Sequence, residues 1–191
     1  MNTYINETSL VESKNIGNGS KIWHWTHISK NAVIGKNCNI GQNVYIANDV
    51  IIGDNCKIQN NVSIFDNTIF EDNVFCGPSV VFTNVTNPRS EFSRKNSYKQ
   101  TIIKNGASLG ANSTILCGNT IGDYAFIGAG STVTRSVKSF ALSIGIPSKQ
   151  IAWFSRYGEK IPLDLNGNEF FQCKTTGDKY ILKNNELILE K

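Results

Sequence analysis

Every sixth residue along most of this chain is apolar. Counted from Leu10, the positions are Leu10, Ile16, Ile22, Ile28, Ile34, Ile40, Ile46, Ile52, Ile58, Ile64, Phe70, Cys76 and Phe82, nine of the thirteen being isoleucine. The frame then breaks and resumes at Ile103, Leu109, Ile115, Ile121, Ile127 and Val133. The gap from Phe82 to Ile103 exceeds one hexapeptide by 15 residues, which places one inserted loop at about residues 88–102. Four positions after the anchor stands a second small or β-branched residue, as at Cys38, Val44, Val50, Cys56, Val62 and Val74. Two inward positions in six do not fit a helical period of 3.6. They predict short strands joined by bends, three to a triangular coil of 18 residues, with the coils stacked as parallel sheets. Glycine often follows the anchor (Gly17, Gly35, Gly41, Gly53, Gly77, Gly110, Gly122, Gly128), and asparagine often sits three after it (Asn37, Asn43, Asn55, Asn61, Asn67, Asn73). Both are expected to supply the unusual backbone angles of the bends.

The repeat stops before the end of the chain. Residues 1–147 read as the β-helix with its inserted loop, and residues 148–191 as a C-terminal cap over the last open sheet edge. Within the cap, residues 148–157 are expected to form a short helix after Pro147. Residues 169–182, which alternate around a Thr-Gly-Asp turn, are expected to form a β-hairpin.

Composition narrows the class. Apolar residues make up 40% and charged residues 18%, which is globular and not disordered. A net charge of +4 suits anionic small molecules and is too dispersed for a nucleic-acid surface. No apolar run approaches the roughly 18 residues of a membrane span, and the first residues lack the features of a signal peptide, so the expected location is the cytoplasm. The five cysteines form no CxxC pair, which argues against a zinc site or a disulfide framework. Cys38, Cys56 and Cys76 fall on inward positions. Cys117, two after its anchor, is expected to be exposed.

A perfect prism has no pocket, so chemistry is expected where the repeat is violated. The insertion brings Arg89, Arg94, Lys95 and Lys99 together with Tyr98, a set able to clamp a diphosphate or a carboxylate. The plainer reading is a solvated excursion. The second violation is the glycine- and alanine-rich stretch 106–112, 128–137 and 144–149. Its small residues would let a ligand lie against the backbone, with Arg135 and Lys149 placed to meet phosphates.

Residues 127–137 (IGAGSTVTRSV) followed by 145–149 (GIPSK) resemble the acetyl-CoA-binding end of the hexapeptide-repeat acyltransferases. The longer run 74–90 (VFCGPSVVFTNVTNPRS), with 22–27 (IWHWTH), 153–159 (WFSRYGE) and the tail residues Cys173, Gly177 and Tyr180, is more specific. Over nearly the whole chain it is similar to N-acetyltransferases that act on UDP-2-acetamido-3-amino-2,3-dideoxy-glucuronate in bacterial surface polysaccharide (O-antigen) synthesis. The resemblance implies a left-handed helix, which the usual right-handed crossover preference would not have indicated. It also implies a homotrimer with active sites between subunits. Acetyl-CoA would lie near Gly110, Ala111, Ala129 and Ile146, with Thr134, Arg135, Pro147 and Lys149 as further cofactor contacts. The sugar amine would be held near Asn84. Arg89, Arg94, Lys95 and Tyr98 would bind the sugar nucleotide, with His24 and His27 as further candidates.

A histidine base is usual among such enzymes, but His24 and His27 lie several coils before the insertion. Asn84 stands where some relatives carry that histidine. It cannot take a proton at neutral pH, but it can accept a hydrogen bond from the amine and orient its lone pair. Direct attack by a neutral amine is therefore expected, with a backbone N–H near Gly110 or Ala111 stabilising the oxyanion. Without the resemblance, Asn84 would read as one more bend residue. Other classes remain open. A zinc carbonic anhydrase needs three histidine ligands, and this chain has two histidines. A non-catalytic scaffold would lack the long basic loop. The nearest competitor among enzymes acetylates dTDP-3-amino-3,6-dideoxyhexoses.

Overall fold

The computed structural model describes residues 2–190. Two-residue strands, one to a side, wind into a triangular prism whose sides are three parallel sheets. Sheet A carries the anchors Ile22, Ile40, Ile58, Cys76, Leu109 and Ile127. Sheet B carries Ile28, Ile46, Ile64, Phe82, Ile115 and Val133, and sheet C carries Ile16, Ile34, Ile52, Phe70, Ile103 and Ile121. Within the regular repeat a strand pairs with the one 18 residues away, 33 away across the insertion and 17 away from the first two strands, and coils rise by about 4.8 Å each. From Ile22 onward the anchors are almost wholly buried in one continuous core. The second inward position is buried as well, as Cys38, Val44, Val50, Cys56, Val62 and Val74 show.

The first coil departs from the expected frame. Leu10 pairs with His27 and points outward, 58% exposed, while Val11 pairs with Ile28 and faces in. The step from Val11 to Ile16 is five residues, so the apolar character of Leu10 disguised a one-residue slip, which in a strand reverses the face.

The bends also differ from expectation in one respect. The asparagines three after the anchor all adopt positive φ, for example Asn37 (55°), Asn61 (61°) and Asn67 (65°). The glycines directly after the anchor do not. They are required by the stacking: a Cβ on Gly35 would lie 2.5 Å from the carbonyl carbon of Gly53 in the next coil. The two residue types that looked alike in the sequence solve different problems.

The cap is all β. The short helix expected over 148–157 is instead a strand, Lys149–Phe154, antiparallel to Ala141–Ile144 and extending sheet A together with Lys160–Ile161. It buries Trp153, whose indole N–H donates to the Asp164 carbonyl (3.0 Å), so an alternating inward face outweighed the helix-start signal of the proline. The expected hairpin forms from Glu169–Gln172 and Lys179–Lys183, and a third strand, Glu186–Leu189, joins it. Tyr180 and Leu182 seat this sheet in a second core with Phe140, Trp153 and Ile161.

Cys117 is buried, 5% exposed, against expectation. Its N–H donates to Thr83 Oγ1 (2.9 Å), which draws the bend inward under the insertion. Burial pushes the Cys76 thiol up, and the hydrogen bond between Cys56 and Cys38 raises Cys56 while lowering Cys38. All five thiols are buried. The expected result with a maleimide is negligible labelling of the native protein and labelling of all five after denaturation, read by intact mass. Rapid native labelling of Cys117 would contradict its placement. Among the described residues no helix is long and apolar enough to cross a membrane, and no cluster of histidine, cysteine and acidic side chains could hold a metal ion.

Candidate active site

The insertion leaves the prism at the corner between sheets B and C, directly after the strand Val81–Phe82, and returns at Thr101–Ile103. It carries one short 3-10 turn, Lys95–Ser97. The loop encloses a cleft of about 610 Å³ lined by Asn84, Arg89, Phe92, Arg94, Lys95 and Tyr98 among others. Of the five loop residues singled out from the sequence, Arg89, Arg94, Lys95 and Tyr98 share this cavity with Asn84, while Lys99 lies outside its lining, against Gly118. Arg89 donates to the Pro88 carbonyl (3.0 Å), while Arg94 Nε is buried with no acceptor from the protein. A buried guanidinium N–H without a partner is rare and favours an anionic oxygen at that point.

The small-residue stretch forms a different corner, between sheets A and B. Gly77, Gly110 and Gly128 stack there in successive coils. A Cβ on Gly77 would lie 2.7 Å from Ala111 N, and one on Gly110 would lie 2.4 Å from Ala129 N. In other coils a side chain from the next coil accepts the equivalent N–H. Asp54 accepts from Lys36 N–H (2.7 Å), Asp72 from Asp54 N–H (2.7 Å) and Asn60 from Gln42 N–H (2.9 Å). One coil beyond Ala111 stands Ala129, whose methyl offers no acceptor. The corner therefore lacks the side-chain acceptor that those coils supply, which leaves the Ala111 N–H available to an oxyanion or an extended amide chain. The segment following Ile144 closes its far end: Thr132 N–H donates to Gly145 O (3.0 Å) and Ser148 N–H to Thr132 O (2.8 Å). This leaves Ile146 77% exposed, beside an exposed Pro147.

The remaining candidates are dispersed. Thr134 and Arg135 are exposed on the B–C corner, two coils beyond Asn84, and Arg135 borders a small recess of about 180 Å³ with Ser148 and Gln150 next to Lys149. His24 is exposed on the A–B corner between Trp23 and Trp25, stacked on Trp23 at 6.3 Å. His27 lies on sheet B, with Nε2 3.0 Å from Glu12 and its ring against Tyr45 at 5.5 Å. Both histidines sit three coils before Asn84, about 14 Å along the axis, out of reach of an amine held there by the same chain. Sheet B also separates Asn84 from Gly110 and Ala111 within one chain. Sequence reasoning overlooked Thr83, Asn67 and Gly118, which surround the neck of the loop. Asn67 belonged to the asparagine series, but nothing in the series distinguished it.

The chain matches the bacterial transferase hexapeptide (six repeats) family over residues 13–48, 31–66 and 100–135. It is 53% identical over 146 residues, 76% of either chain, to the dTDP-3-amino-3,6-dideoxy-alpha-D-galactopyranose 3-N-acetyltransferase of Aneurinibacillus thermoaerophilus. It is 35% identical over 137 residues, 72% of this chain but only 28% of the relative, to the bifunctional protein GlmU of Shouchella clausii (strain KSM-K16). Among solved structures, a maltose O-acetyltransferase from Clostridium difficile 630 has a TM-score of 0.54 at 25% identity, covering 62% of this chain and 67% of that one. The chain therefore belongs to the hexapeptide-repeat transferases. Within that family it is an N-acetyltransferase.

Proposed function

We propose that the protein transfers the acetyl group of acetyl-CoA to the 3-amino group of a nucleotide-linked sugar, with a dTDP-3-amino-3,6-dideoxyhexose as the preferred substrate. The expectation from the sequence put a UDP-linked amino uronate first. The 53% identity to a dTDP-3-amino-sugar enzyme favours the alternative. The observation that carries the substrate class is the loop cleft, where Asn84 stands beside Arg89, Lys95 and Arg94, the last with a partnerless Nε. This suits a neutral amine attached to an anionic nucleotide. A uronate carboxylate is not needed to explain the charge, since a diphosphate satisfies it.

The amine is held by the Asn84 side-chain carbonyl, which directs its lone pair at the thioester carbon. Attack forms the C–N bond and an oxyanion, which the outward N–H of Ala111 stabilises. Collapse breaks the C–S bond, and the CoA thiolate takes the proton lost by nitrogen. Holding the two reactants in register supplies much of the rate. Acetyl-CoA lies along the A–B corner over Gly110, Ala111, Ala129, Ile146 and Pro147, with Lys149 toward its phosphates and Thr134 and Arg135, on the B–C corner, reaching them from a neighbouring copy. Because sheet B separates that corner from Asn84, the site is completed between two copies, and a homotrimer supplies three such sites. The product suits assembly of a surface polysaccharide from cytoplasmic precursors.

Purified protein is to be incubated with acetyl-CoA and each of the two 3-amino sugar nucleotides while free thiol is followed. Release with both, faster with the dTDP sugar, is expected. No release with any amino sugar nucleotide would sink the proposal. Arg94→Ala should raise KM for the nucleotide sugar by about tenfold, the scale of one charged hydrogen bond, and leave KM for acetyl-CoA unchanged.

A further inference from the structure

The neck of the inserted loop is held through one peptide group. The peptide joining Tyr98 to Lys99 donates its N–H to the carbonyl of Asn84 (2.9 Å), and its C=O accepts from Asn67 Nδ2 (3.2 Å). Asn67 lies one coil before Asn84, at the same corner of the prism. Its own main chain is tied on both sides: its N–H donates to Asp49 O (3.1 Å), and its O accepts from Thr101 N–H (3.0 Å). The outgoing limb of the loop is fixed as well, because Thr83 Oγ1 accepts from Cys117 N–H (2.9 Å). Behind the returning limb lies Gly118, where a Cβ would come within 3.2 Å of Lys99 Cδ.

Asn67 is conformationally one of the left-handed bend asparagines, with φ 65°. Glycine would serve that backbone equally well. The amide of Asn67 therefore has a role that the bend does not require. It fixes the plane of the 98–99 peptide, and that peptide fixes Asn84. Two hydrogen bonds on opposite sides of one peptide also polarise each other, which strengthens the hold on the Asn84 carbonyl.

We propose that Asn67 is a positioning residue for the transfer reaction: through the 98–99 peptide its side chain sets the orientation of Asn84 toward the sugar amine. This rests on the acetyltransferase reading of the site. It makes the loop a preformed wall of the site, with its rigidity supplied from the coil below.

The test compares the full-length wild type with Asn67→Gly and Asn55→Gly. Asn55 occupies the equivalent bend at another corner with φ 58°, so its replacement reports the generic effect of the substitution on the solenoid. Two readouts are taken. In limited trypsin digestion, with cleavage possible after Arg89, Arg94, Lys95 and Lys99, Asn67→Gly should be cut in the loop faster than either of the others, while all three keep similar thermal midpoints. In steady-state kinetics, Asn67→Gly should lose about tenfold in kcat with the amino sugar nucleotide, the scale of a small misplacement of a reacting group, with KM for acetyl-CoA unchanged. Equal loop cleavage in all three proteins would overturn the clamp. Faster cleavage with undiminished kcat would overturn the positioning role. A wild type inactive on every amino sugar nucleotide would overturn the acetyltransferase reading, and the digestion would still decide whether Asn67 holds the loop.

Discussion

Alanine in place of Asn84 is expected to lower kcat for amino sugar acetylation by about a hundredfold, the scale associated with loss of a reactant's orientation. KM for acetyl-CoA should not change, because the Asn84 side chain holds the sugar amine, whereas the cofactor is held along Gly110, Ala111 and Ala129. The fold should be unaffected as well. The contact of Asn84 with the returning limb is made by its main-chain carbonyl, which alanine retains. Asn84→Asp provides the sharper comparison. A carboxylate would still accept from the amine, but it would also favour the protonated, unreactive amine beside it. Turnover of Asn84→Asp should therefore recover as pH rises, whereas that of Asn84→Ala should not. Unchanged turnover in Asn84→Ala would remove the residue from the mechanism.

The largest stability effect is expected at a glycine that binds nothing. In Gly35→Ala the added methyl would lie 2.5 Å from the Gly53 carbonyl carbon and 2.5 Å from Asp54 Oδ1. Main chain of the next coil cannot yield without breaking its own pairing, so a loss at the upper end of about 1–3 kcal/mol for overpacking is expected. Gly130→Ala makes the contrast. Gly130 has φ 68° and nothing within 4 Å of a built Cβ, so only the strain of a left-handed alanine remains, about 1–2 kcal/mol. Chemical denaturation of the two variants should rank Gly35→Ala as the more damaged. The reverse order would show that backbone angle governs the bends more than coil contact.

Both experiments bear on what could be read from the residues in order. The hexapeptide frame was legible because nearly every anchor serves one purpose, to fill the interior, and isoleucine serves it best. Where one residue type serves two purposes, the reading blurred. Leu10 is apolar and outward, so it concealed the five-residue step to Ile16. Glycine and asparagine both mark bends, yet one answers to crowding between coils and the other to a left-handed backbone. The cap misled through Pro147, since a helix start and an edge strand can begin alike. The site was legible in parts. Arg89, Arg94 and Lys95 do converge with Asn84, because they lie close in sequence, whereas Lys99 does not. The link from Asn67 to the 98–99 peptide joins residues 31 apart in sequence and has no sequence signature.

The turn-back at the end of sheet A has a consequence for assembly. A column of parallel strands is a template for its own continuation: the last coil offers the groups that the first coil of another copy would pair with. Growth of that kind is head-to-tail and open-ended, so it needs both ends of the prism to be available. Here the strands Ala141–Ile144, Lys149–Phe154 and Lys160–Ile161 reverse direction and occupy the terminal face. At the opposite end Tyr4, Ile5 and Leu10 are 43%, 46% and 58% exposed. Closing one end is enough to block open-ended growth into fibres.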